Sequence, residues 1–359
     1  MASFFAKKKN AIALDIGSSY IKVLEVSQGR NKLQATALGI QKLPPEAIVD
    51  GALMNSNEIV SAIKELLARN KIKTREVVTS VSGHSVIIKK ITLPSMSREE
   101  LNESIQWEAE QYIPFNIEDV NIDAQILSST TDEAGQMDVL LVAAKKEIIT
   151  DYTTILSEAG LTPVVIDVDA FAVQNMFELN YDIDPTEVIV LVNIGASIIN
   201  INVIKNGTTA FTRDVSLGGN QFTEEIQKHL NVSYEEAEAL KVGGELMGDT
   251  QSVVPQEVEN IIVAVSDTVA SEIQRSLDFY SATSTEDSIS KLYLSGGSSR
   301  VPGLTRMIEK FTGIGVEIVD PFRQIEVPER VMKAQHVEQI APMAAVAVGL
   351  SLRHSGDNL

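Results

Sequence analysis

Two short stretches of this sequence repeat one pattern at a constant spacing. Leu14–Val23 reads LDIGSSYIKV and Val192–Ile201 reads VNIGASIINI, and the same offset of 178 residues aligns Asp15 with Asn193 and each glycine with its counterpart. In both stretches an apolar strand enters a short polar turn and leaves as a strand of alternating apolar residues, which is typical of a β-hairpin. The repeat predicts that the chain folds as two related halves that contain the same hairpin.

The two polar turns have the chemistry of anion cradles. Glycine allows the backbone to approach a ligand closely, while backbone N–H groups and hydroxyls supply hydrogen-bond donors. Two such turns that face each other would clamp a polyphosphate. Asp15 would repel phosphate directly, so its expected role is to hold a hydrated Mg²⁺ against the phosphates. Ordinary hairpins with serine-containing turns are the alternative at this point.

The composition excludes several classes of protein. The chain has 359 residues, a formal net charge of −19 and no cysteine, which excludes disulfides and thiolate metal sites. The strong acidity disfavours a nucleic-acid backbone as ligand and makes basic peptides the more plausible partners. Neither a Walker motif nor a Gly-x-Gly-x-x-Gly fingerprint occurs. The histidines show no metal-ligand spacing; they are His84, His229, His336 and His354.

The sequence predicts a cytoplasmic protein. The amino-terminal stretch MASFFAKKKN lacks the apolar run of a secretory signal. No uncharged apolar run approaches the ~18 residues of a membrane span.

A third glycine element lies nearer the carboxyl end. There an apolar strand, LYLS, leads through Gly296, Gly297, Ser298 and Ser299 into a helical pattern that begins near Leu304. Paired glycines let the backbone lie flat against a ring or a phosphate. Together with the two hairpins, this element predicts a nucleotide-binding fold other than the P-loop and Rossmann folds.

These three elements, in this order and spacing, resemble the actin, DnaK-chaperone and FtsA superfamily over nearly the whole chain. Within it, the stretches ALDIGSSYIKVLE and WEAEQYIPF and the short polar end SLRHSGDNL are similar to the PilM family, the FtsA-like cytoplasmic proteins of type IV pilus machines. The resemblance implies an α/β, actin-like (FtsA-type) ATPase fold. Such a fold has two lobes around a nucleotide cleft, an inserted small α/β subdomain, and ATP and Mg²⁺ as cofactors.

The resemblance also implies how the chain is divided. Residues 1–84 begin the actin-like core of the first lobe, residues 85–160 form the inserted subdomain, and residues 161–183 return to the first lobe. Residues 184–220 form the core of the second lobe, 221–290 its helical outer subdomain, and 291–359 complete this core and add a carboxyl-terminal return helix.

The resemblance places the nucleotide contacts residue by residue. The first phosphate loop comprises Asp15, Gly17, Ser18, Ser19 and Lys22, with Asp15 holding Mg²⁺ through water. The second comprises Asn193, Gly195, Ala196 and Ser197. A glycine pair opens a helix whose N–H groups favour phosphate; it is Gly218 and Gly219. A Glu-x-x-Lys pair flanks adenosine, the alternative being a solvated ion pair; it is Glu238 and Lys241. The adenosine loop comprises Gly296, Gly297 and Ser298.

One position departs from the pattern of the superfamily. Where actin and many relatives open the second loop with Asp, this chain has Asn193, which is neutral and cannot accept a proton. Asp169, in VVIDVDAFAV, falls near the position at which relatives place a water-orienting Gln or Glu; the alternative is that it caps a helix over residues 170–177. We therefore expect ATP binding with at most slow hydrolysis.

The sequence of the inserted subdomain predicts one helix from a clear pattern. Ser97 and Glu100 form a Ser-x-x-Glu capping box, and apolar residues then repeat at three to four residues until Pro114 stops the pattern. Trp107, the only tryptophan, lies off this apolar stripe. Candidate partner contacts are Trp107, Ile113, Pro114 and Phe115, with a subdomain contact as the alternative for them.

The resemblance implies partners at the membrane. In the PilM family, the groove beside the insert is understood to receive the cytoplasmic N-terminal tail of the inner-membrane protein PilN. Other components of the inner-membrane complex and the motor ATPases are further expected partners. Because the chain ends in SLRHSGDNL, whereas FtsA ends in an amphipathic membrane helix, membrane contact is expected to be indirect.

The expected function is therefore an ATP-binding scaffold of the type IV pilus inner-membrane assembly complex. Two alternatives from other classes stay open. One is a filament-forming protein similar to FtsA or MreB, which nucleotide-dependent sedimentation would reveal. The other is an actin-fold metabolite kinase, which would need a catalytic carboxylate beside a pocket for a sugar or an acid.

Overall fold

The structure is a computed structural model, and it describes residues 11–29, 32–49, 51–127, 135–182, 184–243, 255–284 and 288–356. The strands are β1 (Ile12–Ile16), β2 (Tyr20–Gln28), β3 (Leu33–Lys42), β4 (Ile48–Val49), β5 (Ala52–Leu53), β6 (Glu76–Val81), β7 (Val86–Pro94), β8 (Val120–Ile126), β9 (Gln136–Lys145), β10 (Thr162–Val168), β11 (Val188–Ile194), β12 (Ile199–Lys205), β13 (Thr208–Val215), β14 (Ile289–Ser295), β15 (Val316–Ile318) and β16 (Ile325–Glu326).

The helices are α1 (Ser56–Arg69), α2 (Arg98–Ala109), α3 (Lys146–Glu158), α4 (Asp169–Asn180), α5 (Gly219–Leu230), α6 (Tyr234–Lys241), α7 (Gln256–Thr283), α8 (Leu304–Thr312), α9 (Ala334–Ile340) and α10 (Ala345–Leu350). Among the described residues, no helix combines the length and the apolar character needed to cross a membrane.

The two large sheets share one topology. Their strand orders are β10-β6-β1-β2-β3-β16 and β13-β12-β11-β14-β15. In each sheet, three consecutive antiparallel strands are followed by strands parallel to the first of them, β6 and β10 in one case and β14 and β15 in the other. Ile16 pairs with Ile21, and Ile194 pairs with Ile199 at the same offset. The predicted internal repeat is thus confirmed in register.

Helices α4 and α10 lie between the two sheets. Along β1, Ile12 and Leu14 pack outward against α1 and α3, whereas Ala13 packs inward against α4 and α10. Along β11, even-numbered residues pack outward against α5, α7 and α8, and Ile189 and Leu191 pack inward against the same two helices. Because side chains alternate along a strand, residues 15 and 193 both lie on the inward faces, beyond the end of the apolar packing.

A third sheet, ordered β7-β9-β8, carries α2 against one face. The predicted capping box is confirmed, because the Ser97 hydroxyl accepts from the Glu100 N–H and the Glu100 carboxylate accepts from the Ser97 N–H. The helix ends at Ala109, and a turn rather than helix leads to Pro114. The predicted boundaries of the inserted subdomain, at residues 85 and 160, stay a prediction.

The tightest contact between α4 and α10 generates a test of this packing. A Cβ placed on Gly349 would lie 1.6 Å from the carbonyl oxygen of Ala172, so a side chain there must force the helices apart. We expect Gly349→Ala to lower the free energy of unfolding by about 3 kcal/mol. Gly315 is the matched control, since a Cβ there meets no atom within 4 Å. The free energy of unfolding of both variants is measured by urea denaturation. Equal small decreases would contradict the close approach of α4 and α10.

Candidate functional site

The first hairpin turn holds a buried ion pair. Asp15 and Lys22 are opposite each other on β1 and β2, and the Lys22 Nζ lies 3.0 Å from the Asp15 Oδ2. The Gly17 N–H donates to the Tyr20 carbonyl at 3.2 Å and closes the turn. Burial raises the pKa of Asp15, Lys22 lowers it in part, and the charge of Asp169 raises it further. A cation beside Asp15 would therefore favour its ionised form.

The second hairpin turn has the same backbone but different side chains. The Gly195 N–H donates to the Ile198 carbonyl at 2.9 Å, as its counterpart does in the first turn. In place of the ion pair, the Asn193 Nδ2 donates to the Asn200 Oδ1 at 3.0 Å. The Asn193 Oδ1 accepts from the Ser295 hydroxyl at 3.1 Å. Both ends of this amide are thus engaged inside the protein.

The predicted glycine pair braces the second loop. The Gly219 N–H donates to the Gly195 carbonyl at 2.9 Å, and the Asn220 N–H donates to the Ala196 carbonyl at 2.8 Å. A Cβ on Gly218 would lie 2.6 Å from both of these carbonyl oxygens, so only glycine fits. These two N–H groups therefore hold the second loop, and the expectation that the glycine pair opens a phosphate-binding helix stays a prediction.

The late glycine loop also touches the second loop. Gly296 has a φ of 88°, and a Cβ there would lie 2.3 Å from the Ile194 carbonyl oxygen, so glycine is required on both counts. The Ser298 hydroxyl donates to the Gly195 carbonyl at 2.9 Å. A Cβ on Gly219 would lie 2.4 Å from the Ser298 oxygen. The structure therefore brings the second loop, the α5 glycine pair and the late glycine loop to one place.

The Glu-x-x-Lys pair on α6 joins this assembly. Lys241 is only 7% exposed. Its Nζ donates to the Gly219 carbonyl at 3.3 Å, to the Thr223 hydroxyl at 3.1 Å and to the Glu238 carboxylate. The alternative of a solvated surface ion pair is wrong for Lys241, because its ammonium group is buried among these acceptors.

The first loop meets α6 across the site. The Lys42 Nζ lies 5.6 Å from the centre of the Tyr234 ring, and the Ser19 side chain is near enough to lower the pKa of the Tyr234 phenol in part. Burial and the nearby Glu238 charge raise the pKa of Tyr234 to about 12, so this phenol stays protonated at neutral pH. Sequence analysis did not identify Tyr234. Its role depends on contact between the two halves, which the local pattern does not encode.

Asp169 lies where it can act on the same site. Helix α4 begins at Asp169 with Val168 as its N-cap and no side-chain cap hydrogen bond, so the alternative that Asp169 caps the helix is wrong. Its Oδ1 instead accepts from the Ser80 hydroxyl at 2.5 Å. Its charge raises the pKa of both Asp15 and Asp214, so these carboxylates are within electrostatic range of one another.

Asp214, on β13, is a half-buried residue that sequence analysis missed. Its Oδ1 accepts from the Asn200 Nδ2 at 2.8 Å, and its Oδ2 accepts from the Gly83 N–H at 2.6 Å. Burial raises its pKa above the usual range for aspartate. The repeat contains a signal for Asn200, which takes the place of Lys22, but no pattern in the sequence marks Asp214.

The donor set fits Mg²⁺ bound together with a nucleotide better than a metal held by protein alone. Within the part of the chain that the structure describes, no group of three or more His, Asp or Glu residues could hold a metal ion. Mg²⁺ typically keeps several waters and is bound through one or two carboxylates plus substrate phosphates. Asp15, buried at the end of β1 beside the first loop, is the kind of carboxylate that this mode requires.

The predicted partner residues divide between surface and core. Trp107 is 76% exposed, and Pro114 is also exposed. Phe115 is half-buried, with the Lys145 Nζ 4.4 Å from the centre of its ring. Ile113 packs in the core between α2 and the third sheet. In this conformation, Trp107 and Pro114 are the two of the four that present most of their surface to a partner.

The α6 pair can be tested against a matched pair with the same spacing. Lys241→Met removes the ammonium from its buried acceptors, and we expect it to lower the free energy of unfolding of the nucleotide-free protein by about 1–3 kcal/mol. Lys228→Met removes the ammonium from Glu225 in an exposed i,i+3 pair, and we expect no measurable change. The free energy of unfolding of both variants is measured by chemical denaturation. Equal decreases would contradict a stabilising contribution from the buried Lys241 ammonium.

Comparisons with known proteins agree with this architecture. The family model described as Type IV pilus assembly protein PilM matches residues 13–355. A chain of the solved PilM-PilN type IV pilus biogenesis complex is 31% identical, with a TM-score of 0.85 over 96% of this chain and 98% of that chain. The cell division protein FtsA of Bacillus subtilis (strain 168) is 22% identical over 351 residues, which cover 86% of this chain and 78% of FtsA.

A more distant structure shares the fold alone. MreB 5 of Spiroplasma citri, solved with bound AMPPNP, is 13% identical, with a TM-score of 0.51 over 95% of this chain and 94% of that chain. The match to the family model and the similarity to the PilM chain each extend over nearly the whole sequence. The chain therefore belongs to the PilM family of type IV pilus assembly proteins and has the actin-like ATPase fold, which is a nucleotide-binding fold.

Proposed function

We propose that this chain is an ATP-binding scaffold of the type IV pilus inner-membrane assembly complex, and that it binds the cytoplasmic N-terminal tail of PilN. The observation that carries the nucleotide part is the convergence of two matching hairpin turns with α6. The turn with Asp15 and Lys22 meets Tyr234 across the site, and the turn with Asn193 is braced by the glycine elements.

Each element has a defined role in this proposal. Lys22 and the hydroxyls of Ser18 and Ser19 bind the phosphates from one side, and the loop from Gly195 to Ser197 binds them from the other. Asp15 holds Mg²⁺ through water. When bound, Mg²⁺ supplies the positive charge that lets phosphates lie beside the carboxylates. The adenosine lies between the α6 pair and the late glycine loop; these residues are Glu238, Lys241, Gly296, Gly297 and Ser298.

Slow turnover follows from the side chains near the phosphates. Asn193 is neutral, and both ends of its amide are hydrogen-bonded within the protein. Asp169 is the remaining candidate to orient water, because its Oδ1 accepts from Ser80 and a carboxylate has a second oxygen that can accept from water. ATP then acts mainly as a structural ligand, since any ligand bound only by the folded state stabilises that state.

The nucleotide found in the purified protein tests this proposal. The protein is purified without added nucleotide and denatured, and the released small molecule is identified by ion-exchange chromatography. We expect intact ATP at close to one molecule per chain. Mostly ADP would contradict slow turnover. An empty protein that also fails to bind added ATP and Mg²⁺ in equilibrium dialysis would refute ATP binding.

The role of Asp15 has a test that depends on the metal. We expect Asp15→Ala to weaken binding of ATP by roughly tenfold or more when Mg²⁺ is present, because a charged interaction is lost. In EDTA the same variant should bind ATP at least as well as the unaltered protein, because a carboxylate that repels phosphate is gone. Asp138→Ala is the control, since it removes an ion-paired carboxylate on β9. If Asp15→Ala and the unaltered protein bind ATP with equal affinity in the presence of Mg²⁺, Asp15 does not hold the metal.

The PilN part of the proposal rests on family membership and on an exposed aromatic surface. The similar solved chain comes from a complex of PilM with PilN. On this chain, Trp107 is exposed on α2, and Glu103 and Glu110, one helical turn away on either side, are exposed too. An aromatic ring among carboxylates fits a tail that carries apolar and basic residues.

A synthetic peptide of the PilN cytoplasmic tail tests the surface. We expect the peptide to change the fluorescence of Trp107, and Trp107→Ala to weaken peptide binding by about tenfold. Phe279→Ala is the matched control, since Phe279 is an exposed aromatic (60%) on α7, and its loss should leave the affinity unchanged. Unchanged affinity in Trp107→Ala would place the tail elsewhere, whereas no binding by the unaltered protein would refute PilN as partner.

A further inference from the structure

A chain of polar side chains leads out of the second phosphate loop to the other half of the molecule. Asn193 donates to Asn200, and Asn200 donates to Asp214 on β13. Asp214 accepts from the N–H of Gly83 at 2.6 Å. Gly83 lies between β6 of the six-stranded sheet and β7 of the three-stranded sheet. The chain of hydrogen bonds thus begins at the nucleotide site and ends at the start of the sheet that carries α2.

The Gly83 turn is shaped for this contact. Gly83 has a φ of 85°, a left-handed conformation that favours glycine, and its carbonyl accepts from the Val86 N–H at 3.0 Å to start β7. The neighbouring His84 ring binds the Ser216 hydroxyl at 2.8 Å, again between the two halves. A carboxylate that is partly withdrawn from water is held in place by donors that compensate for its lost hydration, and half-buried Asp214 has one donor from each half.

The two hairpins differ in whether their side-chain hydrogen bonds continue to another element of the fold. In the first hairpin, the Lys22 ammonium donates to the Asp15 carboxylate, and among the described residues neither side chain has a hydrogen bond to a further protein group. In the second hairpin, Asn200 both accepts from Asn193 and donates onward to Asp214. In the part of the chain that the structure describes, the side-chain hydrogen bonds of the second hairpin therefore reach a further strand, and those of the first hairpin do not.

We infer that Asp214 is a positioning residue that holds Asn200, and through it Asn193, while tying the second phosphate loop to Gly83. Nucleotide in the cleft then strengthens the Asp214–Gly83 contact, and loss of nucleotide loosens the start of β7. The effect of nucleotide in this inference rests on the proposed ATP binding. The contact itself belongs to the nucleotide-free protein and can be tested without it.

Hydrogen exchange of the peptides covering residues 82–88, measured by mass spectrometry on the full chain, tests both parts. Without nucleotide, we expect Asp214→Ala to speed exchange of the Gly83 amide by about fivefold, the effect of one lost hydrogen bond. Asp214→Asn keeps one oxygen acceptor and should restore part of the protection. Asp278→Ala is the control, because it removes an exposed carboxylate on α7 that accepts from Gln274.

A non-hydrolysable ATP analogue with Mg²⁺ tests the link to the cleft. We expect it to slow exchange over residues 82–88 in the unaltered protein and in Asp278→Ala, but not in Asp214→Ala. Unchanged exchange in nucleotide-free Asp214→Ala would overturn the contact. Equal slowing by the analogue in all three proteins would overturn the link through Asp214. If the protein binds no nucleotide, both the link to the cleft and the proposed function are overturned. The Asp214–Gly83 contact is then still decided by the exchange rates of the nucleotide-free proteins.

Asp214→Asn keeps the test valid if the alanine variant does not fold. The asparagine has the shape of the aspartate, and the Asn193 and Asn200 amides can both turn over to match its N–H₂ group. A folded Asp214→Asn protein with exchange over residues 82–88 identical to that of the unaltered protein, and with nucleotide protection intact, would overturn the inference that the Asp214 carboxylate holds Asn200 in place. A loss of nucleotide protection in this variant would support the inference.

Discussion

The close packing of α4 against α10 sets the distance between the two halves of this molecule. Both sheets place their inward-facing residues on these two helices, so neither sheet has a complete core without them. The helices approach closely enough that no side chain fits at Gly349 beside the Ala172 carbonyl. This distance decides whether two hairpin turns on different sheets can serve one ligand. The polar residues at positions 15 and 193 lie on the inward faces of the two sheets, because the apolar residues that share those faces pack on the same helices.

On this shared frame, two turns with the same backbone carry different chemistry. A glycine N–H closes both turns on the carbonyl three residues later. The side chains opposite each other are an ion pair in one turn and two amides in the other. The charged turn is suited to a cation and to phosphate, while the amide turn is fastened to β14 and β13 by Ser295 and Asp214. One turn thus supplies charge, and the other supplies a fixed surface against which a ligand can be held.

Sequence reasoning succeeded where the controlling interactions are local. The hairpin repeat depends on strand alternation and a glycine turn, and the start of α2 depends on Ser97 and Glu100, which are three residues apart. It failed where contacts join distant segments. The Tyr234–Lys42 contact and the Asp214–Gly83 hydrogen bond join residues from different halves, and no period or motif predicts them. The burial of Ile113 likewise depends on how the turn after α2 folds back onto the third sheet.

The neutral residue at position 193 is chemically linked to the charge at position 214. Asn200 stands between them, with its oxygen toward Asn193 and its N–H₂ toward Asp214. A carboxylate at position 193 would face that oxygen, and turning the Asn200 amide over would bring its oxygen against the Asp214 carboxylate instead. One amide cannot donate to carboxylates on both sides while its oxygen also finds a donor there. With a carboxylate fixed at Asp214 by the Gly83 N–H, the residue at position 193 must donate toward Asn200. Asparagine can donate in this way. The carboxylate at position 214 therefore accounts for the asparagine at position 193, where the superfamily pattern has aspartate.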